Sequence, residues 1–255
     1  PLGIDVRLLA EGPDVSAAQV DPDTTVGDYR DLDTLTAFVD GADALTFDHE
    51  HVPTRHLEEI GASVAVRPGP SALVYAQDKA LMREKMNELG VACPAYAICD
   101  GEDELVAFAE AQGWPVIAKT SRGGYDGKGV WKLDGPDEAG LPFENLAETS
   151  AGERVRIVAE EFIDFSRELS AIVVRSPSNH LDAYPIIETR QAHGICVETI
   201  TPAPGLPEAE ATALQEMAIR IATELGVVGV LAVELMQARD GRIVVNELAM
   251  RPHNS

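Results

Sequence analysis

Residues 230–248, VLAVELMQARDGRIVVNEL, contain two apolar runs of strand-forming residues on either side of Asp240-Gly241. An Asp-Gly pair favours a two-residue type I′ turn, because both central positions of that turn need φ > 0. The pattern therefore predicts a β-hairpin in which Arg239 lies directly opposite Arg242. The register of this hairpin decides which side chains of the two strands face each other.

Two glutamates face each other in the predicted hairpin. Counting outward from the turn pairs Leu235 with Asn246 and Glu234 with Glu247. The alternation of pair types makes the glutamate pair non-hydrogen-bonded, with Cα atoms about 4.5 Å apart. Like charges directly opposite destabilise a sheet, and the cost rises among apolar neighbours unless a cation lies between them. Carboxylate oxygens with room for water and phosphate suit Mg²⁺. The alternatives are two exposed surface glutamates, or a longer loop that changes the register.

Composition and charge limit the possible partners. The chain has 255 residues, of which 45% are hydrophobic and 25% charged, and its net charge is −23. Binding to nucleic acid or to an acidic membrane draws on lysine and arginine, so both are disfavoured as partners. No apolar run approaches the roughly 20 residues that span a bilayer, and no signal peptide is recognisable. An anionic small molecule remains possible, because a local basic pocket or a bound metal can override the overall charge.

Three cysteines, Cys93, Cys99 and Cys196, show no spacing typical of metal ligands. Such a small, odd number favours reduced thiols in a cytoplasmic protein. Cys93 and Cys99 flank a predicted strand, where burial as small hydrophobic side chains is the better interpretation.

Both ends of the sequence suggest part of a longer chain. Residues 1–7 read as the approach to a strand, and residues 251–255 end within a predicted functional loop. We therefore expect a fragment, or a chain that lacks both ends.

Strands and helices alternate along the chain and predict a mixed α/β or α+β protein, with ligand sites in the clefts between units. The predicted units are an incomplete N-terminal βα domain at residues 1–70, a connecting helix at 71–93, a small subdomain at 94–163 and a large subdomain at 164–255.

The βα pattern of the N-terminal unit is typical of a parallel sheet. Its expected strands are residues 5–10 and 42–47, and its expected helices are residues 31–40 and 53–60. Residues 71–89 then continue as one helix that stops at Gly90. The clearest helix of the chain is residues 206–225, with one apolar stripe.

A glycine-rich loop follows Lys119 at the end of a predicted strand. Residues 120–129, TSRGGYDGKG, include four glycines in seven positions, which lets the backbone approach a ligand and direct its N–H groups at an anion. The lysine adds a point charge for phosphate. The loop matches neither the Walker pattern nor the dinucleotide fingerprint. The alternative is a mobile hairpin turn without a ligand.

Acidic residues end a later strand. In residues 160–163, EEFI, acidic side chains and free backbone groups could read the edge of a purine ring, and Glu168 could accept hydrogen bonds from ribose hydroxyls. The alternatives are an exposed acidic strand end and a salt bridge from Glu168 to a nearby arginine. Lys79 opens a helix after Asp78, which could be the N-cap beside a simply solvated lysine.

The last residues combine a cation, an imidazole and an amide. Arg251, His253 and Asn254 together suit an anion such as bicarbonate or phosphate. The alternative is an irregular, solvated terminus.

Three histidines, His49, His51 and His56, cluster around Glu50. Their spacing does not match the His-Glu-x-x-His motif, so zinc is the weaker interpretation. No Ser/His/Asp order or Cys/His pairing indicates nucleophilic catalysis.

The order of these features along the chain resembles the ATP-grasp superfamily. The features are a lysine that opens a helix, a lysine at a strand end, a glycine loop, an acidic strand end and two glutamates. The motifs GGYDGKG at residues 123–129 and NELAMRPHNS at residues 246–255 make the chain similar to the 5-(carboxyamino)imidazole ribonucleotide synthases of purine biosynthesis. The resemblance implies an N-terminal parallel βα unit followed by two ATP-grasp subdomains, with the nucleotide cleft between them. It also implies a homodimer.

The resemblance implies a carbon–nitrogen ligase that uses ATP and Mg²⁺. ATP phosphorylates bicarbonate to carboxyphosphate, and 5-aminoimidazole ribonucleotide then takes up the carboxyl group, directly or through released CO₂. Phosphoryl transfer of this kind depends mostly on positioning and charge neutralisation.

The resemblance also implies residue roles. Glu234 and Glu247 hold Mg²⁺, and Glu50 approaches the imidazole nucleotide. The implied catalytic residues, which hold bicarbonate or approach the substrate, are Arg251, His253, Asn254 and Tyr125. The implied ATP-binding residues are Lys79, Lys119, Gly124, Tyr125, Asp126, Gly127, Lys128, Gly129, Val130, Glu160, Glu161, Phe162, Ile163, Glu168, Gln191, Asn246 and Glu247.

The sequence departs from the family pattern in three places. The family's N-terminal glycine-rich segment and its C-terminal part, which contact the nucleotide substrate, are absent from this sequence. A histidine often stands where Gln191 is aligned, and His193 is offset by two residues, so that role is not transferred to it. Gln191 could still donate to a phosphate, without a charge.

Two other functions stay open. The related formate-dependent glycinamide ribonucleotide transformylase has an acid in place of Asn254, so this asparagine favours the carboxylating enzyme. Outside enzymes, the alternative is a nucleotide-binding module without turnover. The presence of all the expected charged residues, Lys79, Lys119, Glu234 and Glu247, argues against such a degenerate module.

Overall fold

The computed structural model describes residues 3–19, 21, 23–124, 128–144, 146, 155–192 and 195–255. The predicted site residues Tyr125, Asp126 and Gly127, as well as His193, lie outside the described residues.

The N-terminal unit contains two short pairs of parallel strands, which confirms the predicted parallel βα pattern. The strands expected at residues 5–10 and 42–47 are wrong in length, since only two residues of each are paired. Residues 3–7 are exposed, and a strand forms only where a neighbour supplies its hydrogen bonds. The pairs are β1 (Leu9–Ala10) with β2 (Thr25–Val26), and β3 (Ala44–Leu45) with β4 (Ala65–Val66).

Two helices cover this unit at the predicted positions. α1 (Leu32–Val39) follows Asp31, whose side chain accepts a hydrogen bond from Thr34 N as an N-cap. α2 (Thr54–Ile60) buries Leu57 and Ile60.

The connecting segment is two helices instead of one. α3 (Pro70–Gln77) ends at Asp78, and α4 (Lys79–Glu88) begins directly after it. Asp78 is extended, with φ −130° and ψ 108°, and its carboxylate accepts two hydrogen bonds from N–H groups in the first turn of α4. The continuous helix expected at residues 71–89 is therefore wrong, because Asp78 leaves helical geometry to cap the second helix. The predicted stop holds, since α4 is followed by Gly90 at φ 62°.

The second unit is an antiparallel four-stranded sheet in the order β5-β8-β6-β7, joined between β6 and β7 by the glycine-rich loop. α5 (Glu102–Gln112) packs on it through Leu105 and Ala109. The strands are β5 (Tyr96–Cys99), β6 (Val116–Thr120), β7 (Val130–Leu133) and β8 (Ile157–Glu161).

The three cysteines are free thiols, as the sequence predicts. Cys99 is fully buried in β5, and burial raises the pKa of its thiol to about 11. Cys93 is half-buried, and burial raises the pKa of its thiol as well. Both behave as small core side chains.

The third unit is an antiparallel six-stranded sheet in the order β12-β11-β9-β13-β14, and β10 pairs with the C-terminal part of β9. α6 (Glu208–Glu224) packs across β9, β10 and β13. The strands are β9 (Phe165–Arg175), β10 (Leu181–Ala183), β11 (Ile187–Ala192), β12 (Ile195–Ile200), β13 (Gly229–Ala238) and β14 (Ile243–Ala249).

The loop of the β13–β14 hairpin has three residues, so the predicted two-residue turn is wrong. Ala238 N donates to Arg242 O at 2.8 Å, and Gly241 alone takes a positive φ, 93°. Asp240 stays at negative φ, and its carboxylate instead accepts hydrogen bonds from Arg242 N and Nε. Gln237 therefore pairs with Ile243, which shifts the predicted register by one residue.

A β-bulge in β14 compensates for this shift. Leu235 pairs with Val245, and the next pair is Glu234 with Glu247, which leaves Asn246 as the extra residue. The facing glutamates are confirmed, whereas the predicted pairing of Leu235 with Asn246 is wrong.

One hydrophobic core joins the N-terminal unit, α3, α4 and the six-stranded sheet, and it includes Leu57, Leu73, Met86, Val233 and Val245. The four-stranded sheet has a separate core of its own. Among the described residues, no helix has the length and apolar character needed to cross a bilayer.

Candidate active site

A cavity of about 880 Å³ lies between the N-terminal unit, the start of the glycine-rich loop and the six-stranded sheet. The predicted site residues in its lining are Glu50, Lys79, Gly124, Glu168, Gln191, Glu234, Asn246, Glu247, Arg251, His253 and Asn254. The predicted site residues outside the lining, within the part of the chain that the structure describes, are Lys119, Lys128, Gly129, Val130, Glu160, Glu161, Phe162 and Ile163.

Each glutamate of the facing pair is held by one basic side chain. Lys79 Nζ lies 2.8 Å from Glu247 Oε1, and His253 Nε2 lies 3.0 Å from Glu234 Oε1. Burial alone would raise the pKa of Glu247, but the charges of Lys79, Lys119 and Arg83 and the hydrogen bond from Lys79 together outweigh burial and lower that pKa below its ordinary value. Lys79 is therefore not a simply solvated residue; its side chain is 13% exposed.

The facing glutamates fit a divalent cation. Among the described residues, no hydrogen bond or ion pair uses the second oxygen of either Glu234 or Glu247. Two carboxylate oxygens from adjacent strands, beside the bulge residue Asn246, form a hard-oxygen donor set of the kind that Mg²⁺ prefers. No cluster of three or more His, Cys, Asp or Glu side chains in the described residues has an arrangement suited to a metal ion. A shell built from this pair would thus be completed by phosphate and water.

A buried ion-pair network lies behind the glutamates. Glu160 Oε1 accepts from Arg83 Nε at 2.7 Å, and Lys119 Nζ lies 2.9 Å from Glu160 Oε2. Arg83 also donates to Val245 O at 2.9 Å and to Asn246 O at 2.8 Å, so it holds the bulge in β14. Lys119 Nζ donates to Asn246 Oδ1 at 3.1 Å.

The role predicted for the Glu160 side chain needs correction. Burial would raise its pKa, but the charges of Lys119 and Arg83 and their hydrogen bonds outweigh burial and lower the pKa to about 2. The carboxylate is 2% exposed and both of its oxygens are occupied. It therefore orients Lys119 and is not available to a purine edge.

The remaining residues of the acidic strand end differ from one another. Glu161 Oε1 accepts from Ala95 N at 3.1 Å and lies 3.4 Å from Arg242 Nη1. Phe162 is exposed, and Ile163 is buried in a small cluster beside β13 and β14. The backbone edge of residues 160–163, rather than the Glu160 carboxylate, stays the predicted adenine contact.

The glycine-rich loop closes on itself at its two ends. Thr120 N donates to Gly129 O at 2.9 Å. Gly129 has φ 70°, and a Cβ there would lie 2.5 Å from Thr120 Oγ1, while a Cβ at Gly124 would lie 2.7 Å from Lys128 O. Both positions need glycine because the strand ends approach so closely.

The start of this loop is fixed to the helix that carries Lys79. Lys79 N donates to Ser121 O at 2.8 Å, and Arg122 Nε donates to Asp78 Oδ2 at 2.8 Å. Loop and lysine therefore share one anchor at the N-terminus of α4.

Glu168 and Gln191 line the same cavity. Burial first, and the charge of Glu234 second, raise the pKa of Glu168. Gln191 Nε2 donates to Glu168 Oε1 at 3.4 Å. Among the described residues Glu168 forms no ion pair with an arginine, contrary to the alternative drawn from the sequence.

The loop after β14 connects to the N-terminal unit. Glu50 Oε1 accepts from Met250 N, and Glu50 Oε2 accepts from Arg251 Nε, each at 3.0 Å. Glu50 thus holds the predicted anion-binding arginine. His253 Nδ1 lies 2.6 Å from the hydroxyl of Ser255, which orients the imidazole toward Glu234.

The three histidines do not share one position. The rings of His49 and His51 are stacked with centroids 5.2 Å apart and line the cavity. His56 is buried in α2 and is not part of the lining.

Sequence reasoning missed Arg83, Gln77 and Ser255. Arg83 had a signal, because it lies between Met82 and Met86 on the buried face of α4, where an unpaired charge is costly. Gln77 and Ser255 have no comparable local signal.

Comparisons with known proteins identify the family of the chain. The ATP-grasp domain family matches residues 84–255, and the ribonucleotide synthetase preATP-grasp domain family matches residues 1–77. The N5-carboxyaminoimidazole ribonucleotide synthase of Mycobacterium tuberculosis (strain ATCC 25618 / H37Rv) is 48% identical over 256 residues, which cover 100% of this chain and 58% of that protein. The chain thus spans somewhat more than half the length of this relative.

Two solved structures are similar throughout the chain. The N5-carboxyaminoimidazole ribonucleotide synthetase from Thermus thermophilus has a TM-score of 0.85 and 31% identity, covering 100% of this chain and 67% of that one. The N5-carboxyaminoimidazole synthase from Aspergillus clavatus, in complex with ADP and 5-aminoimidazole ribonucleotide, has a TM-score of 0.83 and 25% identity, covering 97% and 63%.

Proposed function

We propose the function from the family: the chain belongs to the ATP-grasp family and, within it, to the N5-carboxyaminoimidazole ribonucleotide synthases. The full protein carboxylates 5-aminoimidazole ribonucleotide with ATP and bicarbonate. The products are 5-(carboxyamino)imidazole ribonucleotide, ADP and phosphate. In the first step a bicarbonate oxygen forms a bond to the γ-phosphorus and ADP leaves. In the second, the substrate's amine takes the carboxyl group, phosphate leaves and the amine loses a proton.

Lys79 and the start of the glycine-rich loop bind the phosphates. Lys79 adds its charge at the first residue of α4, where the helix dipole also favours anions. Lys119 contributes a second cation from behind Asn246. Glu234, Glu247 and Asn246 would hold Mg²⁺, whose chemistry when bound is neutralisation of charge on the transferred phosphoryl group.

The remaining nucleotide contacts follow from the same placement. Glu168 accepts from the ribose hydroxyls, Gln191 donates to a phosphate, and the backbone edge of residues 160–163 binds adenine. Residues 124–130 cover the phosphates and exclude water, which protects a labile acyl phosphate.

Arg251, His253 and Asn254 bind bicarbonate and carboxyphosphate at the cavity wall beside the glutamates. Glu50 and Tyr125 contact the imidazole nucleotide. Because Glu50 also holds Arg251, the two substrates bind next to each other. We further propose a cytoplasmic homodimer, which fits the family and the reduced cysteines.

One observation carries this proposal. The pair of Glu234 and Glu247, the phosphate-binding Lys79, and the linked Glu50 and Arg251 all line one cavity. A cleft that only bound a nucleotide would not need Glu50 of the N-terminal unit to form an ion pair with Arg251.

A single assay tests the function. The full-length protein is incubated with ATP, Mg²⁺ and bicarbonate, and ADP release is measured after adding 5-aminoimidazole ribonucleotide or, separately, glycinamide ribonucleotide with formate. We expect release only with the former. Release only with the latter would assign the formate-dependent transformylase activity, and ATP binding without turnover in either mixture would leave a binding module.

A further inference from the structure

The break between α3 and α4 places three consecutive side chains toward three different parts of the site. Gln77 contacts the N-terminal unit, Asp78 binds Arg122 of the glycine-rich loop, and Lys79 binds Glu247. In an unbroken helix Asp78 would keep helical φ and ψ and could not cap the first turn of α4 as it does here. The break between the two helices therefore lets Asp78 cap α4 directly before Lys79.

The amide of Gln77 is fully used by the loop of residues 50–54. Its Nε2 donates to Glu50 O at 2.9 Å and to Val52 O at 2.8 Å, and its Oε1 accepts from Thr54 Oγ1 at 2.7 Å. Two carbonyl oxygens can only accept, so the orientation of this amide is fixed by its partners. One side chain thus holds three positions of the loop.

The same loop carries the Glu50 side chain to the anion-binding wall. Both of its oxygens are engaged there, one by Met250 N and the other by Arg251 Nε. The backbone of Glu50 is thus anchored by Gln77 while its carboxylate anchors Arg251. A shift of this backbone would move the arginine as well.

We propose that Gln77 is a positioning residue for the substrate-side half of the reaction. It fixes the loop of residues 50–54 to the end of α3, so that Glu50 meets Arg251 beside the phosphate-binding Lys79. This inference rests on the proposed function, because it assigns Glu50 and Arg251 to the imidazole nucleotide and bicarbonate. The ATP contacts of α4 do not pass through the Gln77 amide.

The test uses full-length protein with Gln77→Leu, which keeps much of the volume and removes all three hydrogen bonds. Gln77→Glu is the second variant; it preserves the acceptor for Thr54 but sets a carboxylate oxygen against two carbonyl oxygens. The matched control is Gln215→Leu, since Gln215 Nε2 donates to Tyr184 O at 2.8 Å outside the cavity.

Two readouts are measured for each variant. The first is the set of KM values for 5-aminoimidazole ribonucleotide and for ATP. The second needs no substrate: it is hydrogen exchange of the Met250 amide, which donates to Glu50. In both Gln77 variants we expect the KM for 5-aminoimidazole ribonucleotide to rise about tenfold and exchange of the Met250 amide to accelerate about tenfold. The KM for ATP should stay within twofold of wild type. The control leaves all three unchanged.

Unchanged Met250 exchange in either folded Gln77 variant would overturn the proposal. A parallel rise of both KM values would also overturn it, because it would show a merely structural role. If wild-type protein does not consume 5-aminoimidazole ribonucleotide, the proposed function fails, and the exchange measurement still decides whether Gln77 positions Glu50.

Discussion

Arg83→Met tests the buried network that supports the facing glutamates. Arg83 is fully buried and Glu160 is 2% exposed, so neither charge is compensated by water. The substitution leaves Glu160 with Lys119 as its one remaining cation among the described residues, and it removes the hydrogen bonds to Val245 O and Asn246 O. Breaking one partner of a buried ion pair costs about 3–5 kcal/mol.

This loss should be visible in equilibrium unfolding. In a domain of about 150–250 residues each kcal/mol lowers the melting temperature by roughly 2–4 °C, so we expect a decrease of about 10 °C for the unit that contains Arg83. Because the bulge at Asn246 loses its support, affinity for ATP with Mg²⁺ should fall as well. Urea unfolding and thermal melts of the full-length variants measure the first effect, and calorimetric titration measures the second.

The double variant Arg83→Met/Glu160→Gln makes the test specific. Removing both charges leaves no uncompensated buried ion between them, so the double variant should be at least about 2 kcal/mol more stable than the sum of the single effects predicts. Single effects below about 1 kcal/mol, or effects that simply add, would refute the reasoning.

The same pair predicts acid sensitivity. The pKa of Glu160 is lowered from 4.5 to about 2 in the folded protein. A lowered pKa stabilises the fold above pH 4.5, and that contribution of about 3 kcal/mol is lost as the pH falls toward 2. Unfolding midpoints measured from pH 5 to pH 2 should therefore decline less steeply for Glu160→Gln than for wild type. Equal slopes would contradict the assignment.

Three further outcomes are expected. Glu168→Gln should raise the urea midpoint above that of wild type at pH 7 but not at pH 3.5. The pKa of Glu168 is raised in the folded protein, so its ionised form, which is present only at higher pH, opposes folding. Equal midpoints of variant and wild type at pH 7 would count against this. Glu247→Gln should weaken binding of ATP with Mg²⁺ at least about tenfold and stop turnover, and normal kinetics would remove its role. Gly129→Ala should cost about 1–2 kcal/mol and impair nucleotide binding, because its φ of 70° and the nearby Thr120 hydroxyl exclude a methyl group; unchanged melting and affinity would argue against that constraint.

The hairpin shows how a sequence prediction can reach the right contact with the wrong register. An Asp-Gly pair favours a two-residue turn, but here Asp240 satisfies its carboxylate with Arg242 and only Gly241 takes a positive φ. The resulting shift of one residue would separate the glutamates. The bulge at Asn246 restores their pairing, and this bulge depends on Arg83, far away in sequence.

The prediction of one continuous connecting helix was wrong for a related reason. Local propensity over residues 71–89 favours one continuous helix, and the alternative function of Asp78 as an N-cap is visible in the sequence. What ends α3 there is a set of tertiary contacts: Arg122 binds the Asp78 carboxylate, and Ser121 O accepts from the backbone of Lys79. Periodicity cannot reveal contacts between segments this far apart.

The identities of the site residues were more accessible than their partners. Residue type indicated Glu234, Glu247 and Arg251 as candidates, whereas the resemblance to the ATP-grasp superfamily indicated Lys79. The partners are another matter: Glu50 and Arg251 are 201 positions apart, and their contact exists only once the N-terminal unit packs on the six-stranded sheet. The sequence suggested that the Glu160 side chain reads a purine edge. Its burial and its ion pairs with Lys119 and Arg83 arise only in the assembled fold.

The most direct test is a crystal structure of the full-length protein with Mn²⁺ in place of Mg²⁺ and a non-hydrolysable ATP analogue, phased at the manganese edge. We predict an anomalous peak bound by one oxygen of Glu234 and one of Glu247, at roughly 2.0–2.3 Å from each, with phosphate oxygens completing the shell. A nucleotide-bound ion that touches neither carboxylate, or only one of them, would contradict the account.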